Sequence, residues 1–200
     1  MYLYILRHAE TEWNVEDRIQ GRMDSPITKK GYAEIARMRQ TLASIPLDVC
    51  YTSDLTRAKR TAQNLINTKN LPIIEIEALR ELPLGSWEGA LFKEVRDDPL
   101  FEVYFQRPDE FQLPGKENFH DLYRHIEEFI RMLERCDHKH VLIVAHGVSI
   151  RALLNVLEGI PVRQFWHRPV ARNMGLSIAK YDGASWLVLR RADKKDGLSY

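Results

Sequence analysis

The feature that most restricts how this 200-residue chain can fold is a pair of short, unbroken apolar runs. Residues 2–6 read YLYIL and residues 141–145 read VLIVA, neither with the alternation of a strand wetted on one face. Such a strand is covered on both sides, as in a parallel sheet lying between helices. Two further candidates, 47–51 (LDVCY) and 72–76 (PIIEI), are also followed within a few residues by polar or helix-starting sequence.

Helical periodicity falls between these runs, at 28–45, 54–69, 117–136 and 148–159, with Thr28, Ser53 or Asp54, and Gly159 where caps belong. Near the end, residues 176–191 read as two strands joined around Asp182-Gly183, a turn dipeptide that favours antiparallel pairing. The expected architecture is α/β: a three-layer sandwich whose central sheet is mostly parallel, with an antiparallel C-terminal strand pair. The length suits one domain, 1–200, able to bury roughly 70% of the surface its unfolded chain exposes. Residues 190–200 (RRADKKDGLSY) are expected to fray.

Composition narrows the class. With 44% apolar and 28% charged residues the chain is neither disordered nor fibrous. A net charge of +1 supplies no global field to draw it to nucleic acid or an anionic membrane, so any anion site must be local. No apolar run approaches the roughly 20 residues of a membrane span, and the start MYLYIL lacks a signal peptide's basic leader and long apolar core. The only cysteines, Cys50 and Cys136, are expected to be incidental thiols, which suits a cytoplasmic location.

In an open α/β sheet, ligands gather at the carboxyl ends of the parallel strands. Arg7-His8 follows the first strand, Thr52-Ser53-Asp54 and a helix bearing Arg57 follow the second, and His146-Gly147 follows VLIVA. Arginine's planar fork matches two phosphoryl oxygens, so Arg7 and Arg57 read as a clamp for a dianion. Backbone N–H groups at helix starts near Asp54 and Gly147 are expected to add donors aimed the same way. Two imidazoles beside two guanidinium groups cannot both be charged cheaply, so at least one is held neutral and nucleophilic or basic. A leaving alkoxide needs a proton, and LRELPLGSWEG (79–89) offers Glu81 and Glu88, with Trp87 as an apolar wall.

RHAETEWN, GRMDSPITKKGY, YTSDLTRAKRTA, LRELPLGSWEG and VAHGVSIR together resemble, in order, the motifs of the histidine phosphatase superfamily, the phosphoglycerate-mutase-like proteins. The resemblance implies that His8 is the phosphorylated nucleophile and that Arg7, Arg57 and His146 contact the transferred group. It selects Glu81 over Glu88 as proton donor, and it assigns Asn14, Gln20 and Gly21 to phosphate or substrate binding, where Gly147 is expected to join them through its helix-start donor. Two departures stand out: Ala9 replaces a usual glycine, and PGKEN (114–118) replaces PGGES, which bears on substrate contacts through Lys116 and Asn118.

The implied activity is hydrolysis of a small-molecule phosphomonoester through phosphohistidine, with no metal or cofactor required. The alternatives are a phosphoglycerate mutase and a non-catalytic phosphate- or phosphoprotein-binding module. Residues 92–120 are expected to form a lid; they carry four basic and seven acidic side chains, a net charge of −3, where a mutase needs cations for a second anion. Phe101, Tyr104, Phe105 and Phe111 either line that lid or pack it, and Trp166 and His167 are candidates for its border. His120 and His125, on different helix faces, read as structural or exposed. A zinc reading of CDHKHVLIVAH fails on reach: His140 and His146 lie about 20 Å apart if extended, leaving only a partial set at Cys136, His138 and His140. A glycosidase reading of the paired glutamates leaves the arginines and histidines unexplained.

Overall fold

A computed structural model of the chain describes residues 1–67 and 69–192; the last eight residues of the tail lie outside the described range. Its centre is one six-stranded sheet of β1 (Tyr2–Arg7), β2 (Val49–Thr52), β3 (Ile73–Glu75), β4 (His140–Ala145), β5 (Leu176–Tyr181) and β6 (Trp186–Arg190). The order is β3-β2-β4-β1-β5-β6. The first four strands in that order are parallel, β5 runs antiparallel to β1, and β6 antiparallel to β5. The mixed sheet inferred from the sequence is therefore what forms. Asp182 builds the last turn by accepting the amides of Ala184 and Ser185.

The helices are α1 (Glu12–Val15), α2 (Lys29–Thr41), α3 (Thr56–Ile66), α4 (Pro99–Gln106), α5 (Phe119–Glu134) and α6 (Gly147–Leu157). Alternate residues of the central strands feed two cores. Leu3, Ile5, Val141 and Ile143 pack with α5 and α6, while Tyr4, Leu6, Leu142 and Val144 pack with α2 and α3. That double burial explains the missing polar alternation, since each fully buried Leu or Ile contributes about 1.5–3 kcal/mol relative to exposure. β3 is the exception, an edge strand with Ile74 and Glu75 exposed.

Two helices lie where periodicity had not indicated them. α1 is four residues long, too short to show a period, and α4 lies inside the segment expected as a lid. Asp98 begins α4 by accepting the amide of Leu100, with Pro99 in the first turn. Trp87 fastens this helix to the body: its Nε1 donates to Asp98 at 2.8 Å, and its ring meets Phe101, Tyr104 and Phe111. Asn118 caps α5 through the amide of Asp121, so the PGKEN stretch is spent on a helix start. No described helix is long and apolar enough to cross a membrane.

Candidate active site

Strand register assembles the site. β1 and β4 pair in parallel with Arg7 opposite Ala145, and β2 pairs with β4 with Thr52 opposite Val144. β1 and β4 therefore end level, and their next residues, His8 and His146, emerge side by side at about 4.8 Å strand spacing, while β2 ends one residue earlier and is followed by Ser53. The rings of His8 and His146 lie 5.3 Å apart. Arg57 arrives from the first turn of α3, which follows β2.

All four groups are out of water: His146 is fully buried, and His8, Arg57 and Arg7 are 2%, 2% and 9% exposed. Burial, then the charges of Arg57 and Arg7, hold the His8 imidazole well below its usual value near 6.5. His146 is held down in the same way, by burial, Arg57, His8 and Arg7. Both rings are thus neutral, whereas the sequence required only one. Burial lowers Arg7 to about 10, against the opposing charge of Glu81, and lowers Arg57 as well; both remain cations.

Hydrogen bonds set the direction of His8 and of both arginines. His8 Nδ1 is 2.8 Å from the carbonyl oxygen of Ala9, and because a carbonyl only accepts, Nδ1 carries the ring proton. Nε2 keeps its lone pair. Arg57 donates to the carbonyls of Met23 and Gly21 at 2.7 Å and to Asp24 at 2.8 Å. Arg7 donates to the carbonyl of Ala171 at 2.8 Å. Asn14 Oδ1 accepts from Thr11 and from Asn173, whose amide also holds the carbonyl of His8, so the Asn14 amide nitrogen is the end left for a ligand.

The expected donors at the two helix starts are already engaged. Asp24 accepts the amides of Thr56 and Arg57, and Glu81 accepts those of Val148 and Ser149 at 3.0–3.1 Å. Each helix dipole has its own carboxylate. Asp54 turns aside to pair with Arg80. Gly147 still lines the cavity, and a Cβ there would sit 2.8 Å from Val170 and 3.5 Å from Arg7. Ala9 fits the departure from glycine: it is not among the described non-glycine residues with positive φ, and its amide donates to Thr61.

These residues floor a cavity with about 840 Å³ of empty space, its open mouth included. Arg7, His8, Asn14, Gln20, Gly21, Arg57, Glu81 and Gly147 all line it, with His146 beneath. Glu88 does not; its carboxylate accepts the amides of Arg22 and Leu84. The outer wall is Trp13, Ile19, Trp87, Phe92, Phe101, Tyr104 and Phe105, so three of the four aromatics singled out in residues 92–120 line the cavity. Phe111 does not: it is 1% exposed and packs on Trp87 and Phe119. Trp166 stands behind Tyr104 and Phe105, and from its loop Val170, not Trp166 or His167, reaches the cavity.

The remaining candidates fall elsewhere. No group of three His, Cys, Asp or Glu among the described residues is arranged to hold a metal ion; His140 stacks on Tyr2, and Cys136 contacts the carbonyl of Met132. Cys50 and Cys136 are free thiols. His120 is exposed. The supporting roles of Asp24 and Asn173 were not foreseen. Asp24 lies within the quoted GRMDSPIT, but its link to Arg57 crosses 33 residues and no spacing rule reveals it.

The fold and the sequence have known counterparts. Bacillus stearothermophilus YhfR superposes with a TM-score of 0.89 at 34% identity, over 97% of this chain and 98% of that one. Phosphoserine phosphatase 1 of Hydrogenobacter thermophilus is 31% identical over 82% of this chain and 79% of its own length. A probable phosphoglycerate mutase, GpmB of Salmonella choleraesuis, is 29% identical over 94% of this chain and 88% of its own. The family model for the histidine phosphatase superfamily (branch 1) matches residues 3–194, and the chain belongs to that superfamily.

Proposed function

We propose that the protein is a phosphomonoester hydrolase that works through phosphohistidine at His8 and needs no metal. The observation that carries this reading is the Nδ1 contact of His8 with the Ala9 carbonyl, which leaves a neutral Nε2 above a floor of two guanidinium groups. In the first step the Nε2 lone pair forms the N–P bond while the P–O bond to the leaving group breaks. The departing oxygen takes its proton from Glu81. Water then attacks phosphorus, the N–P electrons return to Nε2, and Glu81 recovers a proton from the water. Arg7 and Arg57 meet the spread charge of the equatorial oxygens, the main demand of phosphoryl transfer. Asn14, Gln20 and Gly147 complete the phosphate cradle.

Hydrolysis is favoured over mutase activity because, among the described residues, the outer cavity offers no spare cation. Arg18, the only basic residue on its rim among the described residues, is engaged by Glu16 and the Gly89 carbonyl and lies over Trp13. A mutase must hold a substrate carboxylate and retain a bisphosphorylated intermediate. The aromatic wall instead suits a small ester with an apolar leaving group. Phosphoserine, which gives one relative its name, belongs in the test panel.

The test is turnover of an aryl phosphate in the presence of chelator, beside a panel holding phosphoserine and both phosphoglycerate isomers with a bisphosphoglycerate primer. Phosphate release that survives chelation is expected. Isomer exchange faster than phosphate release would replace hydrolase by mutase, and no turnover of any ester would leave only a binding module.

A further inference from the structure

We propose that Arg22 is a positioning residue for proton transfer by Glu81, acting through a strut that ties the 20–22 loop to the 81–88 segment. This rests on the phosphatase reading and on Glu81 as proton carrier. Arg22 does not line the cavity. Its amide donates to Glu88 at 3.1 Å, its Nε to the carbonyl of Glu81 at 3.3 Å, and its Nη2 to the Glu117 carboxylate at 2.5 Å. The backbone and side chain of Arg22 together join its own loop to the 81–88 segment and to Glu117.

Glu81 is consequently held at both ends. Val148 and Ser149 fix its carboxylate, while Arg22 fixes its backbone. The same strut reaches the phosphate side: Glu88 lies so close under Gly21 that a Cβ there would be 2.3 Å from its Oε1, and the Gly21 carbonyl receives Arg57. Arg22 thereby sets the separation between the proton carrier and the guanidinium floor. The Arg22–Glu117 pair is about one-third exposed on each side. A pair that wet contributes little to stability, so its value lies in geometry. A forked guanidinium spans the two acceptors where an ammonium reaches one well.

The prediction concerns the leaving group, because a misplaced proton carrier harms esters of poor leaving groups and spares those that depart unaided. The experiment measures kcat/KM across aryl and alkyl phosphates for the wild type, Arg22→Ala, Arg22→Lys, Glu117→Gln and Glu81→Gln. Arg22→Ala is expected to lose about tenfold on alkyl esters and about twofold on aryl esters, with Arg22→Lys and Glu117→Gln between it and wild type. Should Arg22→Ala fail to fold, Arg22→Lys and Glu117→Gln carry the comparison. Losses equal for both ester classes, beside a steep dependence in Glu81→Gln, overturn the inference. A wild-type dependence in Glu81→Gln instead overturns the role of Glu81 itself.

Discussion

The Nδ1 atom of His8 lies 2.8 Å from the carbonyl oxygen of Ala9, and that contact leaves Nε2 as the ring nitrogen that keeps its lone pair. The contact is made by the residue next in sequence, so it needs no distant partner. His8→Ala is expected to lower turnover at least about a thousandfold, as loss of a covalent nucleophile does. Folding should persist, since truncation relieves a buried polar ring. Rapid acid-free quenching and mass mapping of the wild type should find the phosphoryl group on residue 8; a label elsewhere contradicts the mechanism.

Acid should destabilise the protein well above the carboxylate range. His8 and His146 bind protons far less readily when folded than at their usual value near 6.5. Below that value the unfolded chain takes up protons that the folded chain refuses, so stability falls as pH drops and is level above it. The limiting slope for two such groups is about 2.7 kcal/mol per pH unit. Urea titrations between pH 5 and 7 measure it. His146→Gln should roughly halve the slope, and a slope left unchanged by that variant would mean that His146 takes up a proton as readily folded as unfolded.

Asp24 serves two structures at once, the start of α3 and the guanidinium of Arg57. Asp24→Asn keeps the size and removes the charge. A loss of about 1–3 kcal/mol in stability is expected, together with a raised KM for phosphate esters. Inhibition by inorganic phosphate should weaken in parallel; unaltered phosphate affinity would show that Arg57 keeps its place without Asp24.

Gly21 has φ +51 and no room for a side chain, because Glu88 fills the space. Gly21→Ala is expected to cost about 1–3 kcal/mol and to depress activity. Gly115 has φ +65 and open space around it, so Gly115→Ala should cost about 1 kcal/mol and leave turnover unchanged. Thermal melts and aryl phosphate assays of the pair separate backbone strain from the clash; equal effects would deny the clash.

Phe101 and Phe105 line the outer cavity, and Asp17 lies on its rim. Phe101→Ala should raise KM for bulky aromatic esters about tenfold while sparing small ones, the worth of a buried apolar contact. Asp17→Lys is expected to improve kcat/KM for carboxylate-bearing esters relative to neutral ones. A specificity ratio unmoved by both variants would mean that the leaving group stays outside the aromatic wall.

The sheet and the core of the site were legible because they depend on short-range pattern. Apolar runs without alternation require cover on both faces, and a charged residue directly after such a run must emerge at the strand's carboxyl end. Arg7, His8 and His146 follow from that rule, and Arg57 from its place in the first turn of the next helix. The family motifs added Glu81. What tertiary structure alone decided was every contact made across a loop. Parallel register brought the strand ends level, so that His8 and His146 stand 5.3 Å apart. Which carboxylate took each helix start, Asp24 for α3 and Glu81 for α6, depended on loop paths that no residue period encodes. Glu81 and Glu88 look alike in sequence; one opens onto the cavity and the other braces Gly21 because a 3D fold turns their side chains to different amides.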